Sequence, residues 1–306
     1  MSVDLLREWL AAGELDLPLP GWGGTLPRWR ALSALTEIDT VAGRLAEAHA
    51  DAVAILAELD GPAPRPGQLW GVWAAEPPDA VVTARPSGDV VHLTGTKAWC
   101  SGAGLCDNAL VTARFEDGRR ALFAVAVADV SPSDNTWSNI GMLASDTRAV
   151  EFDGAIGVPV GSPGAYLERP GFWHGAIGVA ACWLGAAKAV AAPLYRRAGS
   201  DEHALAHLGA VDAALAAADS AMEVAAAEID GDPSDEAGVG EVRARRVRAI
   251  VEIAFDEALT RTGRALGPGL LTQDTDHAQR VADLTVYVRQ SHAERDLAAL
   301  GRLVAR

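Results

Sequence analysis

Cysteine is scarce in this chain of 306 residues. Only Cys100, Cys106 and Cys182 occur, and no two of them have the Cys-x-x-Cys spacing. An odd and sparse set of this kind argues against a disulfide framework and against a cysteine-ligated zinc site. The sequence therefore predicts no metal site, and a reducing compartment such as the cytoplasm.

Positive charge is also in short supply. The chain has 26 Lys and Arg against 41 Asp and Glu, for a formal net charge of -15. Such a charge repels phosphate backbones and anionic lipid surfaces, so binding to nucleic acid or to a membrane is not expected. No run approaches the roughly 18 apolar residues that a transmembrane helix needs. The first residues carry acids where a signal peptide would carry base, so we expect a chain that is not exported.

The residues that are present divide the chain into three parts by their pattern. Apolar residues make up 49% of the sequence, enough for a large core. Residues 1–66 have helical spacing, clearest from Thr36 to Leu59, and end in the Pro- and Gly-rich stretch "DGPAPRPGQ". Residues 161–306 are rich in Ala and contain four long helical patterns, for which a four-helix bundle is the economical packing.

Residues 67–160, which lie between these two helical parts, have the pattern of a β domain. Short β-branched or aromatic runs alternate there with Pro, Gly, Asp and Ser. The runs are "LWGVWAA", "AVVTAR", "VVHLTG", "KAWCSGA", "NALVTARF", "RALFAVAV" and "AVEFDG". The fold class is therefore α+β, with N-terminal helices, a central antiparallel β-barrel or sheet, and a C-terminal four-helix bundle.

Three motifs resemble segments of the acyl-CoA dehydrogenase superfamily, and along the chain they occur in the order found in that superfamily. "GTKAWCSGA", Gly95 to Ala103, is similar to that superfamily's G-x-K-x-W-[IC]-[ST]-x-[AG] segment. "GMLASDTRAVEFDGAIGVP", Gly141 to Pro159, resembles its G-x-x-x-S-x-T strand, and "GVWAAEPPDA", Gly71 to Ala80, resembles the strand that ends in Thr-Glu-Pro. The resemblance covers about residues 69–306, and the N-terminal helical part is shorter than in relatives.

The resemblance implies a flavoprotein oxidoreductase with FAD. Its substrate would be an acyl thioester of CoA or of a carrier protein, and the chain would form a homodimer or homotetramer, or pair with an active homologue. By the same resemblance Trp99 and Ser101 flank the flavin ring, Cys100 lies beside them, and Ala75 takes the position of a flavin-contacting Thr. An indole supplies the flat apolar wall that such a ring needs. The alternative is that Trp99 is simply part of the core of the β domain.

The catalytic base departs from the family pattern. Dehydrogenation removes a proton α to a thioester carbonyl, and a carboxylate is the usual acceptor. Counting from Asp283 places the commoner Glu position at Ser291, and the other known position falls near Gly175. Neither residue is a carboxylate. His174 adjoins the second position and is our candidate base, because an imidazole titrates near neutral pH; the alternative is a histidine packed on Trp173.

The flavin-diphosphate site also departs from the pattern. Gly267 and Gly269, in "RALGPGLL", lie where relatives carry a Gly-Gly loop that reaches the partner's cofactor. Arg196 and Arg197, or the cluster Arg243 to Arg248, would replace the family's phosphate-binding Arg, because guanidinium groups suit bidentate phosphate contact. A solvated basic helix face is the alternative for that cluster.

Three hypotheses for function follow. The first is α,β-oxidation of an acyl thioester or related substrate by a flavin enzyme. The second is a flavin oxygenase or oxidase of the same superfamily, whose chemistry with O₂ needs no α-proton carboxylate. The third is a catalytically degenerate structural or regulatory homologue. Retention of flavin separates the third from the others.

Overall fold

The computed structural model describes residues 2–88 and 90–305. The helices are α1 (Ser2–Ala12), α2 (Thr25–Ile38), α3 (Thr40–Glu58), α4 (Ala165–Glu168), α5 (Gly171–Arg197), α6 (Glu202–Gly231), α7 (Gly240–Leu266), α8 (Gly269–Gln273), α9 (Thr275–Tyr287) and α10 (Glu294–Val304). The strands are β1 (Trp70–Trp73), β2 (Val82–Ser87), β3 (Val90–Cys100), β4 (Asn108–Arg114), β5 (Arg120–Ala126), β6 (Ser131–Pro132) and β7 (Arg148–Val160). Helices, strands and helices therefore follow each other in the expected order.

Five of the strands close into a barrel. The ring runs β4, β2, β3, β7, β5 and back to β4. Most pairings are antiparallel, but β1 pairs with β4 in parallel. Strand β2 also pairs with β4 in parallel, where Thr83 lies opposite Arg114. The barrel is filled by a core that includes Leu93, Val111 and Phe123, all less than 1% exposed. Closure leaves five strands without a free edge, and the expected β domain is confirmed.

Two of the expected β runs, "VVHLTG" and "KAWCSGA", form the single strand β3. The glycine between them, Gly95, is not a turn residue but lies within the strand at φ 125°. A Cβ at Gly95 would lie 2.2 Å from the carbonyl oxygen of Val81. Glycine is required here because the neighbouring backbone comes so close, and the separation into two runs was wrong.

The long N-terminal helical pattern is interrupted. The sequence predicts one helix from Thr36 to Leu59, but α2 ends at Ile38 and α3 begins at Thr40. Asp39 between them accepts a hydrogen bond from the backbone N–H of Ala42 at 2.8 Å. This is the side-chain capping that short acidic residues provide at helix starts, so the break is encoded by one residue that periodicity alone does not reveal.

The C-terminal helices match three of the four expected patterns closely. The fourth pattern, from Asp276 to Val304, was expected to be one helix, but α9 ends at Tyr287 and a 3₁₀ turn and a break precede α10. Backbone conformation at the break is irregular, with Ala293 at φ 44°. The sequence across the break, from Arg289 to Asp296, contains neither Pro nor Gly, so no helix-breaking residue indicates it.

Internal contacts divide the chain into two compact units. One unit comprises the residues up to Leu17, Leu45–Ser138 and Leu143–Phe172, and therefore contains the barrel. The other comprises Pro18–Arg44, Asn139–Met142 and the chain from Trp173 onward. Helix α5 is long and apolar enough to span a bilayer by length and composition, with a mean hydropathy of 1.6, but 83% of that apolar window is buried inside the protein. Core helices pass the same test, so this is weak evidence for a membrane span.

Candidate functional site

Trp99 lies on a β-bulge. On β3 the partner of Val150 is Lys97 and the partner of Arg148 is Cys100, so β3 has one residue more than β7 over this interval. The extra residue turns the backbone of Trp99 to φ 60°. That left-handed conformation is an outlier for a bulky side chain and costs on the order of 1–3 kcal/mol. The bulge leaves the indole 62% exposed, so the alternative interpretation of Trp99 as part of the β-domain core is wrong.

A second indole lies against Trp99. Trp137, in the loop between β6 and β7, meets Trp99 edge to face, with ring centroids 6.2 Å apart and ring planes at 88°. Edge-to-face pairs at this distance are attractive because the ring edge is positive and the face negative. No motif singles out Trp137, because its neighbours in the loop are small polar residues.

Ser101, two residues after Trp99 in the sequence, belongs to a row of three hydroxyl groups. Ser101 Oγ is 3.0 Å from Thr147 Oγ1, which is 2.8 Å from Ser145 Oγ. Trp73 Nε1 donates a hydrogen bond to the carbonyl oxygen of Ser101 at 3.0 Å and fixes its backbone. Strand alternation does not place Ser101 relative to Trp99, because β3 ends at Cys100. The position of Ser101 is set by these hydrogen bonds instead.

Cys100 faces the interior of the barrel. Its side chain is fully buried, and its Sγ lies 3.4 Å from the carbonyl oxygen of Lys97. Burial raises the pKa of the Cys100 thiol to about 12, which keeps it protonated and unreactive at neutral pH. Any contact between Cys100 and a cofactor would therefore be made by its backbone. Ala75 lies two residues beyond the end of β1 and is partly buried.

Lys97 also points into the barrel, because the bulge places residues three apart on the same side. Its Nζ donates hydrogen bonds to Thr112 O at 2.7 Å and to Thr112 Oγ1 at 2.6 Å. Burial lowers the pKa of Lys97 to about 8, partly offset by the charge of Glu76. The lysine in "GTKAW" is thus a buried charge that anchors β3 to β4.

Glu76 completes this charged cluster. It accepts a hydrogen bond from Arg114 at 2.8 Å and lies 3.1 Å from Arg120. Burial would raise the pKa of Glu76, but the hydrogen bond from Arg114 and the charge of Lys97 outweigh burial, so the pKa lies below its ordinary value. One carboxylate therefore compensates three cations at the end of the barrel where β1 leads into Ala75.

His174 lies in the other unit, in the first turn of α5. It is 3% exposed. A Cβ at Gly21 would lie 3.9 Å from His174 Cε1 and 2.9 Å from Pro233 Cβ, so the imidazole packs beneath the loop that precedes α2. Its role as a base stays a prediction.

Gly269 borders a surface cavity in the same unit, and Gly267 lies two residues before it in the chain. Gly267 ends α7 at φ 69°, and Gly269 begins α8. The cavity has a volume of about 510 Å³, and its lining includes Gly269, Arg197, Asp274 and Asp276. The structure thus brings together the expected glycine loop and Arg197. The two aspartates weaken the positive field that a diphosphate would need.

The arginine cluster from Arg243 to Arg248 is engaged inside its own unit. Arg243 donates to Glu228 at 2.7 Å, and Arg245 donates to Asp296 at 2.9 Å. Arg248 donates to a backbone carbonyl, and burial lowers its pKa. These contacts favour a structural role for the cluster over phosphate binding.

No protein-family model matches the chain, and no curated protein matches it. Several solved structures do. The butyryl-CoA dehydrogenase of Megasphaera elsdenii matches 99% of this chain and 90% of its own, at a TM-score of 0.83 and 17% identity. The methanesulfinate monooxygenase MsuC of Pseudomonas fluorescens matches 97% of this chain and 88% of its own, at a TM-score of 0.79 and 19% identity.

A third match is TdsC of Paenibacillus sp. A11-2, a dibenzothiophene monooxygenase solved in complex with FMN and indole. It matches 98% of this chain and 94% of its own, at a TM-score of 0.80 and 18% identity. Identities this low establish a shared fold and leave activity to be argued from the site. The chain has the fold of the acyl-CoA dehydrogenases.

Proposed function

We propose that this protein is a flavin-dependent oxidoreductase. The observation that carries the proposal is the exposed indole of Trp99, fixed on a bulge by strained backbone. Strain of this kind persists where surrounding structure enforces it, and it concentrates at functional sites. Similarity to a butyryl-CoA dehydrogenase and to TdsC, which was solved with FMN, supports the same class.

The residues around Trp99 suit a flavin. A tricyclic ring needs a flat apolar wall with hydrogen-bonding groups at its edge. Trp99 offers the wall, and Ser101 and Thr147 offer hydroxyls that are already linked to each other. A bound flavin would supply a two-electron acceptor. The protein's own contribution would be to orient the ring and to exclude water from one of its faces.

We propose FAD as the cofactor, with FMN as the alternative. FAD is favoured by Gly269 and Arg197, which line one cavity, but the two aspartates in the same lining make contacts to a diphosphate poorer than a basic site would. The FMN complex of TdsC supports the shorter cofactor. Denaturing the purified protein and chromatographing the released flavin distinguishes FAD from FMN.

The proposed substrate is an acyl thioester of CoA or of a carrier protein, oxidised between its α and β carbons. The test is the absorption spectrum of the flavin-loaded protein under anaerobic conditions. Bleaching on addition of an acyl-CoA supports the proposal. A flavin that bleaches with dithionite but with no acyl-CoA from butyryl to palmitoyl overturns it.

A flavin oxygenase is the second candidate. It is favoured by the absence of a carboxylate at positions 175 and 291, and by the similarity to two monooxygenases. In that case the flavin would be reduced by an external reductase and then react with O₂. Protein that binds neither FMN nor FAD would instead indicate a degenerate homologue, working as a partner of an active one.

We also propose self-association as a homodimer or homotetramer. Light scattering coupled to gel filtration measures this directly, and mixing with an active homologue tests the alternative assembly.

A further inference from the structure

A small cavity lies beside the charged cluster at the end of the barrel. Strand β4 pairs with β1 as far as Val111 and with β2 at Arg114, so Thr112 falls in a gap between the two pairings. Thr112 lines a cavity of about 80 Å³, and the whole lining belongs to the unit that contains the barrel. This volume holds a few water molecules, or a ligand of about four heavy atoms.

Positive charge exceeds negative charge around this cavity. The cluster sets Lys97, Arg114 and Arg120 against the single carboxylate of Glu76. Arg114 donates a hydrogen bond to Glu76 Oε2 at 2.8 Å, and Arg120 Nε lies 3.1 Å from the same oxygen. Lys97 is fully buried and donates to the hydroxyl of Thr112. Two positive charges of the cluster are therefore left without a carboxylate, which favours an anion as ligand.

The other acids nearby do not neutralise this excess. Glu116 and Asp117, in the turn between β4 and β5, each pair with another arginine. Glu168, on α4, lies close to Gly164 but is exposed, and it forms no ion pair with any residue that the structure describes. An exposed carboxylate of this kind is screened by solvent and salt.

Two donors on the wall of the cavity are available to an anion. Apart from its ion pair with Glu76, the guanidinium of Arg120 makes no hydrogen bond within the described part of the chain. The hydroxyl of Tyr166 has no hydrogen-bond partner among those residues, and burial raises its pKa, so it stays a donor at neutral pH. The Tyr166 ring is held by Phe172 at 5.7 Å and by the guanidinium of Arg169 at 5.5 Å. A guanidinium fork suits a carboxylate, which accepts two parallel hydrogen bonds from it.

The rest of the lining is apolar. Ala74, Ala121 and Leu167 line the cavity together with Gly164. The backbone N–H of Gly164 donates to Arg120 O at 2.9 Å, which ties the turn before α4 to β5. A ligand with a carboxylate at one end and one or two carbons at the other matches this division, because small-ligand sites combine an apolar lining with a few placed polar groups. Chloride and sulfate, which have no apolar part, match only one half of the cavity.

We propose that this cavity binds a short aliphatic carboxylate of the size of acetate or propionate. Its carboxylate would lie against Arg120 and Tyr166, and its alkyl end against Ala74 and Leu167. The site is separate from the flavin wall and needs neither flavin nor the oxidation proposed above. Because such a ligand binds the folded chain and not the unfolded one, it also stabilises the fold.

The test is a titration of the purified chain with sodium acetate at constant ionic strength. Saturation-transfer NMR of the acetate methyl group reports binding, and the thermal midpoint reports the stability that binding adds. Arg120→Gln removes the guanidinium, Tyr166→Phe removes the hydroxyl, and Ala74→Leu fills the apolar end. Arg119→Gln is the matched control, because Arg119 is the next residue, pairs with Asp117 and is not part of the lining.

We expect a dissociation constant on the order of 1 mM, a strength that four heavy atoms can provide. Arg120→Gln should weaken binding by about tenfold or more, Tyr166→Phe by about threefold, and Arg119→Gln by less than about twofold. Ala74→Leu should abolish binding while leaving every charge in place. Propionate should bind like acetate, whereas formate, which lacks the methyl group, should bind about threefold or more weakly.

Equal acetate affinities in Arg120→Gln and Arg119→Gln would overturn the proposal. So would the absence of saturable binding by the wild type, or displacement of acetate by chloride and sulfate as readily as by propionate, which would indicate a general effect of charge. If Arg120→Gln fails to fold, Ala74→Leu decides the question. Wild-type affinity in Ala74→Leu would overturn the proposal, and loss of binding with an unchanged thermal midpoint would support it.

Discussion

Trp99 and Trp137 meet edge to face at 6.2 Å, with one indole on a strand bulge and the other on a loop. The strand fixes Trp99 and the loop brings Trp137 to its edge. Trp99 is exposed and Trp137 is partly buried, so the pair offers an aromatic surface to a planar ligand.

Replacing Trp99 by Ala should weaken flavin binding by about tenfold or more, because an aromatic contact is worth on the order of 1 kcal/mol beyond its buried area. Trp137→Ala should have a smaller effect in the same direction. Trp22→Ala is the matched control, since Trp22 is 82% exposed and belongs to the other unit. Fluorescence titration with FMN and FAD gives the dissociation constants. Equal constants for Trp99→Ala and Trp22→Ala would contradict the proposed site.

Replacing Trp99 by Gly should cost less folding stability than replacing it by Ala. Glycine adopts φ 60° without strain, whereas Ala does not, so Trp99→Gly should be about 1 kcal/mol more stable to urea than Trp99→Ala. At Trp137, which is not among the described residues with positive φ, Ala should be at least as stable as Gly. If Ala is at least as stable as Gly at position 99 as well as at position 137, the bulge relaxes when the indole is removed and the prediction is wrong.

Lys97 predicts a pH effect on stability. Its pKa is about 8 in the folded chain and about 10.4 when unfolded, so the unfolded chain binds more protons between these values. Stability therefore rises with pH through this window, with a slope of at most about 1.4 kcal/mol per unit. Urea unfolding from pH 7 to 9 measures it, and Lys97→Met should remove this rise.

Cys100 should cancel that rise at higher pH. Its pKa is raised to about 12 in the folded chain, so above about 8.5 the unfolded thiol loses a proton that the folded one keeps. Stability then falls with pH, with the opposite sign to Lys97. We expect Cys100→Ala to extend the rise beyond pH 9, where the wild type levels off. A wild-type curve parallel to that of Cys100→Ala would contradict the raised pKa.

Two helical glycines should respond oppositely to the same substitution. A Cβ at Gly185 would lie 2.0 Å from the carbonyl oxygen of Ser33, so Gly185→Ala should cost more than about 2 kcal/mol. Gly209 lies in α6 with nothing within 4 Å of such a Cβ, so Gly209→Ala should add about 0.5–1 kcal/mol. Thermal unfolding measures both. A stable Gly185→Ala would mean that α5 does not pack as closely on Ser33 as described.

Much of the fold could be predicted from the sequence because strand and helix periodicities differ strongly. The order of helices, barrel and helices is confirmed, as is the superfamily fold. The predicted helix and strand boundaries were wrong at two places where a single residue sets the local backbone. Asp39 caps a helix within an unbroken apolar pattern, and Gly95 permits close approach within a strand where a turn was expected.

The candidate site was less predictable because its residues meet through tertiary structure. The motif "GTKAWCSGA" identified Trp99 and Ser101, but strand alternation fails at a bulge, which one extra residue creates and no periodicity shows. Trp137 reaches Trp99 from the loop between β6 and β7, a tertiary contact that a single sequence does not report.

The bulge on β3 has a consequence for how this segment can change. Deleting either Ala98 or Trp99 would remove the extra residue and restore strict alternation. Because residues two apart in a strand point to the same face, Lys97 and Cys100 would both stay inside the barrel. The left-handed backbone position would be lost, since the one residue left between them would take ordinary extended geometry. We therefore expect a shortened β3 to keep its interior while losing the strained presentation of the indole.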